Sequence, residues 1–136
     1  MKEEEKELLT EDLCERLPFG LKVLADLDKE FDGGIIGTLS GIYWKEWPLK
    51  KKELYVEIEK GVTGYTIEEV RPYLRPMTSM TESEFNTFLY HNFSDRSATH
   101  FTPECVSWLK MHHFDYRGLI PRGLAIKVTE ENNPYK

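Results

Sequence analysis

Thr102-Pro103-Glu104-Cys105-Val106-Ser107-Trp108-Leu109-Lys110-Met111-His112-His113-Phe114-Asp115-Tyr116-Arg117-Gly118, followed shortly by Gly123-Leu124-Ala125-Ile126-Lys127-Val128, predicts a capped helix, a polar aromatic stop and a closing strand. The Thr102 hydroxyl can accept a hydrogen bond from an early helical N–H, and Pro103 at the first helical position leaves no N–H unpaired. Cys105, Val106, Leu109 and His113 follow helical spacing, Ile120-Pro121-Arg122-Gly123 has the composition of a turn, and Leu124, Ile126 and Val128 share one strand face.

Upstream lies a second marked helix start. Thr81 and Glu84 form a capping box, Met80 and Phe85 occupy the positions of a hydrophobic staple, and Phe85, Phe88 and Leu89 are its expected buried face. Before it, Ile67 to Leu74 reads as extended chain, punctuated by Arg71-Pro72 and Arg75-Pro76, and Gly61 to Thr66 reads as a loop. Leu21 to Leu27 alternates at period two, and Leu54 to Glu59 buries Leu54, Val56 and Ile58. Ile35 to Trp44 is β-rich, with Gly37 and Gly41 marking a bulge or bend. A short helix is expected after Thr10, with Leu13, Cys14 and Leu17 as its apolar stripe and Pro18-Phe19-Gly20 as its end. Residues 1–9 are expected to be frayed or disordered, and 10–136 to form a single domain.

Strands early, helices late and a strand at the end indicate an α+β fold. The expected architecture is a small antiparallel sheet, open or curled into a partial barrel, with two or three packed helices and a terminal strand returning to the early sheet.

At 136 residues the chain can bury roughly two-thirds of its unfolded surface, so neither metal nor disulfides are required. No apolar run approaches the ~20 residues of a membrane span, and the charged start Met1 to Glu7 lacks a secretory h-region, so a cytoplasmic location is expected. Cys14 and Cys105 are then expected to be reduced. The net charge of −6 argues against tight non-specific nucleic-acid binding.

The chemistry-bearing groups are few. His91, His100, His112 and His113 with Cys105 lack zinc-ligand spacing, so neither metal nor cofactor is expected. In Asp26-x-Asp28-x-Glu30-x-Asp32-Gly33 the place of the EF-hand glycine falls on Phe31, and a solvated hairpin rim is preferred. His113, Asp115 and Arg117 could supply a base, an orienting carboxylate and an anion clamp, making them the candidate catalytic residues. Their preferred reading is structural: backbone capping and mutual satisfaction at a turn. Trp44, Trp47, Lys50, Lys51 and Lys52 interleave aromatic rings with positive charge, as single-stranded nucleic-acid binders do, and Arg71, Arg75 and Arg96 could extend that patch.

Tyr73-Leu74-Arg75-Pro76-Met77-Thr78-Ser79-Met80-Thr81 and Trp108 through Ile120 together carry a resemblance. Both blocks resemble those of a group of small phage and prophage-like proteins of gut anaerobes with no known activity, over most of residues 10–134. The resemblance implies a mobile-element origin and a bacterial cytoplasm, and transfers no catalytic residue.

The leading expectation is therefore a non-catalytic binding module with a protein partner, supported by the aromatics Tyr43, Trp44, Trp47, Tyr55, Tyr65 and Tyr73, its mark an exposed aromatic patch. The alternative is a weak single-stranded nucleic-acid binder acting through Trp44, Trp47 and Lys50 to Lys52. A small enzyme built on His113, Asp115 and Arg117 comes third. An unpaired sheet edge would allow a homodimer.

Overall fold

Leu9, Asp12, Leu13 and Arg16 recur at i, i+3, i+4 and i+7, and these four are the buried face of the first helix, α1 (Glu3–Arg16). The helix starts earlier than Thr10. Glu3, Glu4 and Glu5 favour the positive end of the helix dipole, the Glu5 carboxylate accepts from the Lys2 N–H at 3.1 Å, and Leu9 is fully buried. Lys6 adds an ion pair to Glu68 at 2.5 Å. Residues 3–9 are thus helical, held by burial and end charge that a search for a threonine cap overlooks. Cys14 points outward, the remaining departure from the expected stripe.

The computed structural model describes residues 2–25, 34–45, 53–58, 62–91 and 101–135. A 3-10 turn, Leu17–Phe19, follows α1 and ends at Gly20, whose φ of 69° is left-handed and reverses the chain into β1 (Lys22–Ala25). Then come β2 (Ile35–Lys45), β3 (Glu53–Ile58), β4 (Val62–Thr66) and β5 (Val70–Leu74). Two helices, α2 (Glu82–His91) and α3 (Pro103–Met111), precede the short β6 (Ile126–Lys127). The six strands form one sheet in the order β4-β3-β2-β1-β5-β6, not closed into a barrel. All pairings are antiparallel except β5 with β6, which is parallel. The fold is α+β, and the late strand returns to β5, beside the early sheet.

The alternation expected around Val23 is realised, with Leu21, Val23 and Ala25 fully buried. In β2 the register against β3 slips between Leu39 and Gly41, a bulge at one of the two anticipated glycines. Ser40 fills that irregularity, its hydroxyl donating to Glu57 Oε1 at 2.9 Å. The segment expected to be a loop before Thr66 is strand β4 from Val62 onward, because pairing with β3 overrides its glycine, Gly64. The following extended stretch opens with a 3-10 turn, Ile67–Glu69, in which Glu69 accepts from the Thr66 N–H.

The main core gathers Leu9 and Leu13 from α1, Val23, Leu39, Val56, Ile58, Val70 and Leu74 from the sheet, and Leu119 and Leu124 from the chain before β6. A second, smaller core comprises Cys105, Leu109 and Phe114, with Met77, Met80, Phe88, Trp108 and Tyr116 against it. Both capping expectations hold: Thr102 Oγ1 accepts from the Cys105 N–H at 3.1 Å, and Thr81 and Glu84 exchange bonds at 3.0 and 3.1 Å. The expected buried face of α2 does not hold. Only Phe88 reaches the second core, while Phe85 and Leu89 remain 50% and 49% exposed.

That difference has a measurable consequence. Trp108 stacks on Phe114 with ring centres 5.6 Å apart, so Trp108→Ala is expected to lose about 3 kcal/mol, whereas Phe85→Ala, at a half-exposed position, loses only about 1 kcal/mol. Urea denaturation of the two variants separates the packed flank of α2 from its open one.

Candidate functional site

Helix α3 ends in a Schellman motif: the His113 N–H bonds to Lys110 O at 3.1 Å and the Phe114 N–H to Leu109 O at 2.9 Å. The left-handed position of such a motif usually belongs to glycine, but here it is His113, with φ at 65°. A side chain there costs on the order of 1 to 2 kcal/mol relative to glycine. Its ring lies flat on Tyr135, centres 4.0 Å apart and planes within 10°. Burial, followed by the positive charge of Arg16, His112 and Arg75, lowers the His113 pKa to about 4. The Nδ1 atom is buried without a hydrogen-bond partner.

Beyond His113 the chain is bonded to the end of β5. The Arg75 N–H donates to His113 O and the Asp115 N–H to Arg75 O, both at 2.8 Å, which makes a parallel bridge between Arg75 and Phe114. The Asp115 carboxylate turns away to accept the N–H groups of Leu119 and Ile120 at 2.8 and 2.9 Å. Arg117 reaches back to α1, with Nη1 at 2.8 Å from Asp12 Oδ1 and Nη2 on Glu15. Glu15 also receives Lys110 at 3.7 Å. Partial burial pushes its pKa up, but the hydrogen bond and charge of Arg117 prevail and hold it below the usual carboxylate range.

Arg16 lies at the centre of this contact and is fully buried. Its Nη2 donates to Phe114 O at 2.5 Å, its Nε lies 2.9 Å from Asp12 Oδ2, and its guanidinium sits 5.2 Å from the Tyr116 ring centre. Burial pushes the Tyr116 hydroxyl up to about 12, so it stays protonated.

A second arginine organises the other side. Arg75 grips Glu84 with two parallel bonds of 2.7 Å and lies 4.2 Å above the Phe114 ring. The same carboxylate closes the α2 capping box, so one side chain ties the start of α2 to the end of β5. The Arg75 bonds, ahead of the Thr81 N–H, pull the Glu84 pKa down to about 2.

The three candidate catalytic residues therefore occupy one short segment but have different partners: His113 the Tyr135 ring, Asp115 two backbone amides, Arg117 two carboxylates of α1. Trp44 lies in β2, while Trp47, Lys50, Lys51 and Lys52 lie outside the described residues, as do Arg96 and the acidic stretch before Gly33. Arg71 donates to the carbonyls of Gly123, Glu68 and Val70. Arg75 is held by Glu84, so both guanidinium groups have acceptors within the chain. Among the described residues no group of three or more His, Cys, Asp or Glu side chains could hold a metal ion, and no helix is long and apolar enough to cross a membrane. The residues that sequence reasoning missed are Asp12, Arg16 and Tyr135. The first two had a signal: an oppositely charged pair at i, i+4 on the face of Leu9 and Leu13.

The open feature lies on α2, none of whose residues is buried. Phe85 stacks near Phe88 at 6.4 Å, and Phe88 meets Phe101 edge to face at 5.7 Å. Leu89, Tyr90 and Phe101 are exposed. Tyr90 also borders a shallow polar groove with Thr81, Glu82, Ser83, Asn86 and Thr87.

No protein-family model, curated protein or solved structure matches the chain.

Two outcomes test the charge network. Asp12→Ala leaves the buried Arg16 cation without its carboxylate and is expected to cost about 3 to 5 kcal/mol, most of it recovered in Asp12→Leu/Arg16→Met, as read by urea denaturation. Glu84, with its folded pKa lowered from 4.5 to about 2, contributes stability that is complete above pH 4.5 and lost as pH falls from 4.5 to 2. Glu84→Gln should remove that dependence, about 1 kcal/mol after allowing for solvent screening, in melting curves across this window.

Proposed function

We propose that this protein is a non-catalytic binding module of mobile-element origin that offers the outer face of α2 to a protein partner. The observation that supports this reading is the open apolar stripe. Phe85 and Leu89 are half exposed, Tyr90 is 78% exposed and Phe101 is 38% exposed, all on or beside one helix. Scattered surface hydrophobics need no explanation, but a run of neighbouring aromatics is the composition of an interface anchor. Leaving Phe85 and Leu89 half in water forgoes roughly 1 kcal/mol apiece, which a partner covering them would restore. The helix is rigidly mounted by the Arg75–Glu84 fork and by the Thr102 hydroxyl, which donates to His91 O at 2.7 Å. A mounted helix with an apolar stripe suits helix-in-groove or helix-on-helix recognition.

The test is a photo-crosslinker placed at Leu89 in cells of the natural host, compared with the same probe at exposed Thr78. A discrete protein adduct confined to the Leu89 probe, and lost when Phe85→Ser is added to a variant that still melts like wild type, supports the reading. Equal labelling from both positions, or no adduct from either, removes it. A parallel titration with single-stranded oligonucleotides at low and physiological salt serves as the arm for the nucleic-acid alternative.

A further inference from the structure

Residues 129–135 form a short strap beyond β6. Locally it is a turn: Asn132 Oδ1 accepts from the Thr129 N–H and hydroxyl at 2.6 and 2.8 Å, and the Asn132 N–H returns to Thr129 Oγ1 at 3.2 Å. Tyr135 ties the strap to the sheet. Its hydroxyl accepts from the Lys22 N–H at 3.2 Å and donates to Tyr73 O at 2.7 Å. The β1–β5 register pairs Val23 with Pro72, so Lys22 and Tyr73 stand where the next pair would fall. The tyrosine hydroxyl thus bridges the two strands where their ladder stops. On its ring lies His113, the histidine that occupies the left-handed position glycine would fill at lower strain.

We propose that His113 and Tyr135 form an acid-sensitive latch that holds the strap 129–135 across the β1–β5 junction and releases it when the imidazole is protonated. An imidazolium carries N–H on both nitrogens, and Nδ1 is buried with no acceptor. Charging the ring in place therefore creates an unsatisfied, charged, buried donor. The groups facing it add to the penalty: Arg16 from α1, Arg75 from the end of β5 and His112 from the end of α3. Asp12 lies against Arg16 and offsets part of that charge. The Tyr135 ring attracts a cation on its face, a smaller effect opposed to burial and to the two arginines. These causes together hold His113 at about 4 in the closed state.

Because the folded pKa lies below the ordinary histidine value of 6.5, the latch is fully closed above about pH 6.5, and its stability is lost as pH falls from 6.5 towards 4. Undocking breaks the bonds of the Tyr135 hydroxyl to the Lys22 N–H and the Tyr73 carbonyl at the end of the β1–β5 ladder. The inference stands apart from the α2 reading, since neither residue lies on that helix.

Native-state amide exchange followed by NMR tests it, because docked Tyr135 accepts a hydrogen bond from the Lys22 N–H. After correction for intrinsic rates, Lys22 should exchange faster than Ile58, and its protection should fall about 60-fold between pH 7 and pH 4.5, as the histidine pKa moves from about 4 to 6.5 on release. Two variants complete the test. His113→Phe keeps a ring over Tyr135 but cannot titrate, and His113→Gly suits the left-handed backbone, so it folds even if the larger ring does not. Loss of that pH dependence in whichever variants fold establishes the latch. Equal protection of Lys22 and Ile58 at pH 4.5, the mark of global opening alone, or a wild-type pH dependence surviving in either variant, overturns it.

Discussion

A guanidinium that never sheds its charge is fully buried at Arg16, and that constraint shapes the architecture. Such a group must be given acceptors from whatever packs around it, and here they come from far apart in sequence. Asp12 is supplied by the same helix, one turn earlier, but the Phe114 carbonyl comes from the segment after α3. For Arg16 Nη2 to reach the Phe114 carbonyl, α1 must lie against that segment, and the segment must adopt the path it takes after α3. Arg117 reinforces the same contact from the other direction by reaching Asp12 and Glu15. A buried pair of this kind is weak evidence for high stability and better evidence for specificity, since most alternative dockings of α1 would leave a charge without partners.

The geometry of the 113–117 segment follows from this requirement. Phe114 must present its carbonyl to Arg16 and its ring to Trp108 and Arg75, while its neighbours pair with the end of β5. A Schellman turn with a left-handed residue at position 113 delivers that path. Asp115 then fastens the next bend by accepting two backbone amides, so the polar side chains that suggested catalysis have structural partners. The openness of α2 has a similar origin. Its anchoring is concentrated in Glu84, Phe88 and His91, on one side of the helix, so its remaining apolar residues have no core to enter.

Much of the local structure was legible in the sequence because it depends on neighbours a few residues apart. Thr81 with Glu84, Thr102 with Pro103, the period-two pattern around Val23 and the glycine-marked bulge of β2 are satisfied by bonds spanning one turn or one rung. The start of α1 was missed because Thr10 resembled a cap, whereas Leu9 and the leading glutamates extend the helix past it. Strand β4 was missed because its glycine reads as a loop residue until β3 is available to pair with it.

What the sequence determined by itself was the α+β class, the places where α2 and α3 begin and the buried faces of the early strands, all consequences of periodicity and short-range hydrogen bonding. What only the tertiary structure decided was which apolar stripe would be covered and which charges would be enclosed. Phe85 and Leu89 have the spacing of core residues yet stay open, and Arg16 has the composition of a surface residue yet is sealed in. Burial is a property of what another part of the chain places alongside a residue. Here Phe114 lies 98 positions from Arg16, and Tyr135 113 from Lys22, separations across which local spacing carries no information.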